Sequence, residues 1–378
     1  MQIREKLLRL TTIDGSLDTL LKGQLRYMNE SFEVVGVADD SGRLDAVAAR
    51  EGIRTVAVPM RRAISPLADL RSLLRLFRLF RRERPLIVHA NTPKASLLGM
   101  VAAWLARVPH RIYLVTGLRF ETTHGALRFV LKTMERITCL CATKVIPEGE
   151  GVKATLLRER ITRKPLQKIH HGNINGIDIA HFDRTAEVER RAAELRAGSE
   201  AFTFLFIGRM VRDKGIEELI AAFDRLAHER DDVRLLLVGN FEDELDPVSP
   251  AAKSIIERNP KIRFAGFQSD VRPYLAASDT LVLPSYREGF PNVVLQAGAM
   301  GLPCIVTDIN GCNEAIIEGR NGTIIPKQDT DALYDAMRRF VADRAATRTM
   351  AAAARDLTAS RYLQQDVWRA TREMYQTL

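Results

Sequence analysis

Short runs of consecutive apolar residues alternate along the whole chain with longer stretches in which apolar positions recur every three or four residues. A short apolar run flanked by Gly, Pro, Asn or Asp reads as a strand buried on both faces, and the longer period reads as an amphipathic helix. In the first half, strands are expected at Leu7–Thr12, Glu33–Ala38, Thr55–Pro59, Leu86–His89, Arg111–Val115 and Lys144–Pro147. Helices are expected between them at Leu17–Asn29, Pro66–Arg82, Lys94–Ala106 and Ala126–Leu140. In the second half, strands are expected at Phe202–Ile207, Val233–Val238, Ile262–Ala265, Thr280–Leu283 and Pro303–Thr307, with helices starting near Gly215, Pro250, Val271, Asn292 and Asp331. Strand, helix, strand in this order is the rhythm of an α/β protein with a doubly wound parallel sheet.

The rhythm stops once and restarts. His171-Gly172-Asn173-Ile174-Asn175-Gly176-Ile177-Asp178 is rich in Gly and Asn and has the composition of a linker. A chain of 378 residues also exceeds one ordinary core. Two Rossmann-like, doubly wound domains are therefore expected, 1–178 and 179–361, facing a central cleft that is the natural ligand site. The amphipathic tail, 362–378, is expected to form a helix that packs back on the first domain.

Composition narrows the class. With 46% hydrophobic and 27% charged residues the chain reads as globular, and no apolar run is long enough to span a bilayer. The stretch Met1-Gln2-Ile3-Arg4-Glu5-Lys6 opens no signal-peptide core, since Asp14 and Asp18 interrupt the apolar residues that follow. Cys139, Cys141, Cys304 and Cys312 form neither a metal-ligand set nor a disulfide framework, so a reducing cytoplasm is the expected home. Charge is uneven: residues 1–178 carry a net +13 and the remainder −4. The basic half implies a polyanionic partner, with lipid head groups, a lipid pyrophosphate and nucleic acid all open on charge alone.

The helix from Pro66 sharpens that choice. Leu67, Leu70, Leu74, Phe77 and Phe80 recur at helical spacing, with Arg71, Arg75, Arg78 and Arg82 expected along the opposite side. Two readings fit: an apolar stripe buried on the sheet with solvated charges, or an arginine row resting on anionic lipid. Both hold at once if the Leu/Phe stripe packs inward. Nucleic acid fits less well, because no aromatic interleaving or reader motif accompanies the charge.

Candidate chemistry concentrates in the second half. Ser285-Tyr286-Arg287-Glu288-Gly289-Phe290-Pro291-Asn292-Val293-Val294-Leu295-Gln296 follows the buried run Thr280–Pro284 and leads to Gly301-Leu302-Pro303. A strand, a loop with an acid and backbone amides, then a helix N-terminus is a common cradle for anionic, hydroxyl-rich ligands. Glu288 lies on the loop and Gln296 is expected about two turns into the helix, so the pair can grip two hydroxyls of one nucleotide sugar. Upstream, Gly208-Arg209 ends a buried strand and Asp213-Lys214-Gly215 opens the next helix. Arg209 and Lys214 suit a diphosphate, as a bidentate fork and a compact charge, although either alone also suits a surface salt bridge. Gly266-Phe267, near Asp270-Val271, is either a nucleobase contact or a plain turn with a core Phe. Asp329-Thr330-Asp331 spells a metal-binding pattern but stands where a helix N-cap is expected.

Taken in order, Gly208-Arg209, Asp213-Lys214-Gly215, Gly266-Phe267, Glu288-Gly289-Phe290-Pro291 and Gly301-Leu302-Pro303 resemble the family-4 glycosyltransferases. In the first half, His89-Ala90-Asn91-Thr92-Pro93-Lys94-Ala95, Thr116-Gly117-Leu118-Arg119-Phe120-Glu121 and Asn175-Gly176-Ile177-Asp178 look like the bacterial capsule and O-antigen members. The resemblance implies the GT-B fold and retaining, metal-independent transfer of a hexosyl or N-acetylhexosaminyl unit. It implies a nucleotide-sugar donor, UDP-linked, as substrate rather than a resident cofactor, and a glycan acceptor on a polyprenyl pyrophosphate at the inner face of the plasma membrane.

By the same likeness Arg209 and Lys214 bind the diphosphate and Glu288 contacts the sugar. Gly208, Gly266, Phe267, Val271, Gly289, Phe290, Asn292 and Val293 line the nucleotide-sugar pocket. The family's ribose-binding glutamate falls on Gln296, where an amide oxygen replaces a carboxylate. Many relatives carry a histidine in the loop that here reads Thr116-Gly117-Leu118-Arg119; His124 lies nearby, and an ordinary loop histidine is the competing reading. On the acceptor side the candidates are Gly15, Asn91, Lys94, Arg119 and His124. The competing functions are a sugar-nucleotide epimerase or phosphorylase on the same fold, and a nucleotide-sugar or glycan-binding protein without catalysis.

Overall fold

The computed structural model describes residues 4–61, 64–242 and 246–378. Met1–Ile3, the start of the stretch read above for a leader, lie outside the described residues. Contacts divide the chain into two compact units, residues up to Gly176 together with Gln365–Leu378, and Ile177–Gln364.

The first unit runs β1 (Lys6–Ile13), α1 (Asp14–Leu20), α2 (Gln24–Asn29), β2 (Glu33–Asp39), α3 (Leu44–Glu51), β3 (Arg54–Ala57), α4 (Pro66–Glu83), β4 (Ile87–Ala90), α5 (Pro93–Leu105), β5 (His110–Val115), α6 (Gly125–Cys141), β6 (Lys144–Pro147) and α7 (Glu150–Arg158). Its six strands are parallel, in the order β3-β2-β1-β4-β5-β6. Alternation along β1 sends Leu8 and Leu10 into the core under α4, α5 and α6, and Leu7 into the core on the opposite face.

The helix expected over Leu17–Asn29 is two helices. The break falls at Leu21–Gly23, where the Gly23 amide donates to the buried Glu51 carboxylate (3.0 Å) instead of continuing the helical ladder. In α4 the inward residues are Ser72, Leu76, Leu79 and Phe80, while Leu67, Leu70 and Leu74 are exposed. The expected stripe is therefore split: Phe77 and Phe80 pack on the core, whereas Leu67, Leu70 and Leu74 face outward together with Arg71, Arg75 and Arg78, which were expected on the opposite side.

The second unit runs α8 (Ala186–Arg196), β7 (Phe202–Ile207), α9 (Ile216–Glu229), β8 (Val233–Val238), α10 (Pro250–Arg258), β9 (Ile262–Phe264), α11 (Arg272–Ala276), β10 (Thr280–Leu283), α12 (Asn292–Ala299), β11 (Cys304–Thr307), α13 (Cys312–Ala315), β12 (Gly322–Ile325), α14 (Thr330–Ala342) and α15 (Arg344–Tyr362). Its parallel sheet has the order β12-β11-β10-β7-β8-β9, which repeats the topology of the first unit strand for strand. In each sheet the order reverses between the first and fourth strands, so β7 and β10 flank the second unit's switch point. β12 was not expected from sequence; after Gly322-Thr323 only Ile324-Ile325 remain as an apolar run. Asp329 caps α14, accepting from the Ala332 amide (2.8 Å).

The last helix, α16 (Gln364–Gln376), belongs with the first unit. Trp368 donates from Nε1 to Asn175 Oδ1 (2.6 Å), and Tyr375 inserts beside the fully buried Arg9 and His89. All four cysteines are buried and unpaired.

Candidate functional site

The site in the second unit grows out of three strand ends. β7 is apolar apart from Thr203 and ends at Gly208, whose amide donates to the Val238 carbonyl (2.9 Å). Gly239, which follows β8, donates in turn to the Gly266 carbonyl after β9 (2.9 Å). A Cβ at Gly239 would stand 1.8 Å from the Gly208 oxygen, and the residue has φ 140°, so no other amino acid fits. Three glycines in line keep side chains off this edge and leave its backbone accessible.

The second half of the site is a pair of interlocked loops. Residues Arg212–Lys214 form a single 3-10 turn that ends at Gly215, φ 70°. A Cβ on Gly215 would lie 2.1 Å from the Pro284 carbonyl, so the turn sits directly on the end of β10. Across that contact the Tyr286 amide donates to the Asp213 carbonyl (2.8 Å), and Arg287 Nη2 donates to the Asp213 carboxylate (2.8 Å). Tyr286 Oη donates to Glu218 (2.6 Å); burial and that carboxylate push the phenol's pKa up. Thr307 Oγ1 holds the Ser285 carbonyl (2.5 Å).

This framework aims two charges at each other. Lys214 Nζ donates to Glu288 Oε1, and Ser285 Oγ donates to the same oxygen (3.0 Å). Both side chains are mostly buried, at 18% and 15% exposure, so their charges are little screened. Arg209 is more open, half-exposed, with Nη1 on Glu242 Oε2 (2.7 Å).

After Glu288 the chain turns through Gly289, half-buried, and Phe290, which is buried with its ring 5.3 Å from that of Tyr362. α12 then starts at Asn292 with no side-chain cap. Val294 and Leu295 anchor it in the core, while Asn292, Val293 and Gln296 are half-buried. Gln296 is the fifth residue of α12, one turn in rather than the expected two. Phe267 is exposed rather than core, its amide on Asn240 Oδ1 (3.2 Å), and Val271 packs at the start of α11. Asp270 is engaged by Arg272 at 2.8 and 3.0 Å, which holds its carboxyl below the usual range.

In the first unit the acceptor-side candidates divide. Gly15 lies in the first turn of α1, where its amide donates to Asp14 (2.7 Å). Asn91, fully buried at the end of β4, accepts from Arg9 Nη2 (3.3 Å) and supplies its carbonyl to Thr116 (2.8 Å). Lys94 is only 9% exposed and its ammonium meets Asp69 at 2.5 Å, an ion pair that ties α5 to α4. Arg119 and His124 are exposed, in a short 3-10 turn and at the N-cap of α6.

The profile described as "Glycosyl transferases group 1" matches residues 201–343, and that of a "Glycosyl transferase 4-like domain" matches residues 23–170. The chain is 30% identical over 375 residues to the capsular polysaccharide biosynthesis glycosyltransferase CapM of Staphylococcus aureus, covering 99% of this chain and 97% of that protein. The chain belongs to the family-4 glycosyltransferases.

The Escherichia coli UDP-Gal:alpha-D-GlcNAc-diphosphoundecaprenol alpha-1,3-galactosyltransferase is 28% identical to this glycosyltransferase over 323 residues, 84% of this chain and 82% of that one. Among solved structures, Anabaena HepE in complex with UDP-glucose superposes with a TM-score of 0.82 at 19% identity, over 99% of this chain and 100% of that one. That likeness fixes the GT-B fold.

Within the glycosyltransferase, Lys214 and Glu288 converge, whereas the Arg209 guanidinium is drawn aside to Glu242. Sequence reasoning passed over Gly239 and Ser285. Gly239 carried a signal, since it ends its strand as Gly208 and Gly266 end theirs; Ser285 carried none, because its role depends on how the loop folds.

Proposed function

We propose that this glycosyltransferase moves a hexosyl or N-acetylhexosaminyl unit, with retention and without a metal, from a UDP-sugar to a glycan on a polyprenyl pyrophosphate. The setting is bacterial surface polysaccharide synthesis at the inner face of the plasma membrane. The observation that carries the reading is the Lys214–Glu288 pair at the β7/β10 switch point. The printed names of relatives point the same way. The Escherichia coli enzyme uses UDP-Gal and a diphosphoundecaprenol acceptor, and the Campylobacter jejuni relative acts on a diphospho-undecaprenol substrate.

In this reading a diphosphate entering along the Gly208–Gly239–Gly266 edge meets Lys214 and draws Arg209 from Glu242. Lys214 then neutralises the charge that builds on the departing nucleoside diphosphate. Glu288, released from Lys214 and still held by Ser285, accepts hydrogen bonds from sugar hydroxyls. Backbone amides of Gly289, Phe290, Asn292 and Val293 complete the cradle, Phe267 and Val271 flank the base, and Gln296 takes a ribose hydroxyl. The acceptor hydroxyl loses its proton to the leaving phosphate on the same face, so no protein base is required. On the acceptor side Gly15, Arg119 and His124 remain the proposed contacts, with Asn91, fully buried against Arg9, and Lys94, gripping Asp69, acting only through the residues they hold.

The test is a melting panel with UDP-, GDP-, ADP- and dTDP-sugars, followed by turnover of the best binder and NMR of the product anomer. A UDP-sugar is expected to raise the melting temperature, and Arg209→Ala to weaken that rise. If no nucleotide raises it and Arg209→Ala changes nothing, the donor site is misassigned. An inverted product overturns the retaining mechanism. Gln296 motivates one second reading, a nucleotide-sugar binder without catalysis: a melting shift with no turnover on any lipid-pyrophosphate glycan selects it.

A further inference from the structure

Three of the helices over one face of the first sheet, α4, α5 and α6, are apolar on both sides. α4 packs on α5 and α5 on α6, and all three send side chains into one core. Yet α6 also shows solvent Phe129, Val130, Ile137 and Leu140, which follow each other at helical spacing on the side opposite buried Leu131, Thr138 and Cys139. Phe129 is 69% and Leu140 76% exposed. α4 adds Leu67, Leu70 and Leu74, and the end of α5 adds Trp104. Scattered exposed apolar residues are ordinary, but a layer of helices that presents them in stripes marks an interaction surface.

The charges on this face are of one sign. Arg71, Arg75 and Arg78 of α4 and Arg136 of α6 are exposed. The acids that α4 and α6 contribute are already engaged: Asp69 holds Lys94, Glu83 holds Arg54 and Lys6, and Glu135 is buried against Tyr113. α5 contains no acid. A second copy of the chain, docking through this face about a two-fold axis, would set these arginines against one another. An anionic bilayer satisfies both features, with apolar side chains below the head groups and guanidinium groups at the phosphates. Among the described residues no helix is long and apolar enough to cross a membrane, so the contact is one of lying on it.

We propose that the α4–α5–α6 layer is the membrane-docking face, with the α6 ridge of Phe129, Ile137 and Leu140 inserted and Arg75 and Arg78 of α4 on lipid phosphates. It rests on the reading above only in that a lipid-borne acceptor gives such a face its use.

Flotation of the full chain with phosphatidylcholine vesicles, and with vesicles containing phosphatidylglycerol, tests it. The wild type is expected to float with anionic vesicles, and Trp104 emission to shift to the blue. Arg75→Glu/Arg78→Glu and Phe129→Glu/Leu140→Glu are each expected to weaken flotation about tenfold or more. Only the second pair should abolish the binding that persists in high salt. Because all four residues are exposed, the melting temperature and its nucleotide-induced rise should stay unchanged in both variants. Flotation that survives both pairs, or binding indifferent to anionic lipid, overturns the proposal. So does a wild-type dimer in light scattering that Phe129→Glu/Leu140→Glu splits without any vesicle binding. A nucleotide-induced rise without flotation sinks this inference alone, and flotation without that rise sinks only the donor reading.

Discussion

The Lys214 ammonium rests on the Glu288 carboxylate, two residues 74 apart in sequence that the switch between β7 and β10 brings together. The Ser285 hydroxyl donates to the same carboxylate and Gly215 seats the lysine turn on the end of β10, so each member of the pair is held by its own loop. A cation suited to a leaving diphosphate and an acid suited to sugar hydroxyls thus share one contact, which in the proposed function the donor divides.

Removing the cation tests that arrangement first. Lys214→Ala is expected to lower kcat/KM by roughly 10²–10³-fold, the range for losing one preorganised charge partner of a developing anion. Lys214→Arg should restore part of the loss. Initial rates with the donor found in the melting panel measure both, and a Lys214→Ala enzyme within about threefold of wild type would rule out the role.

Gln296 predicts a gain. Gln296→Glu replaces a neutral acceptor with a charged one on the first turns of α12, and charge-assisted bonds are roughly twice as strong. The nucleotide Kd should fall several-fold by calorimetry. A weaker Kd would mean that the ribose is read elsewhere.

Glu135 makes stability depend on pH. Its carboxyl is buried, accepts from Tyr113 Oη at 2.7 Å, and is pushed up by burial from 4.5 to about 7. The folded state therefore holds this proton more tightly than the unfolded chain. Its stabilising contribution is full below about pH 4.5 and is lost as pH rises through about 7. The shift corresponds to as much as about 3 kcal/mol. Glu135→Gln, which still accepts from Tyr113, should melt higher than wild type at pH 8 and show no such gain at pH 5. Parallel melting curves at all pH values would contradict this.

Tyr375 is the polar anchor of the C-terminal helix. Its hydroxyl meets Arg9 Nη1 (3.0 Å) and His89 Nδ1 (2.5 Å) in a fully buried cluster. Burial, then the nearby Arg9 charge, holds the His89 pKa well below its ordinary value, so the ring is neutral. Tyr375→Phe strips one partner from each and should cost about 1–3 kcal/mol. Faster amide exchange in β1 and β4 would locate the loss, and unchanged exchange there would refute the anchoring role.

Much of the fold was legible because buried parallel strands are apolar runs. Phe202–Ile207, Val233–Val238 and Thr280–Leu283 have the bounds that their sequence predicts. The misses are elements whose signal is short or shared. β12 offers only Ile324-Ile325 after Gly322-Thr323, and the α1–α2 break depends on Glu51, distant in sequence, reaching the Gly23 amide. In α4 the expected stripe divides, Phe77 and Phe80 inward and Leu67, Leu70 and Leu74 outward, and nothing within the helix says which arc its neighbours will cover.

The chemistry divides along the same line. Local pattern alone determined the two-fold α/β plan, the residue types Lys214, Glu288 and Gln296 in order, and the basic character of the first half. Only the tertiary structure decided that Lys214 meets Glu288 while Arg209 turns to Glu242, that Lys94 is spent on Asp69, and that Leu67 and Phe129 face outward. The physical reason is that periodicity reports which side of one element is apolar, whereas an ion pair or a buried face depends on what the rest of the chain places opposite it.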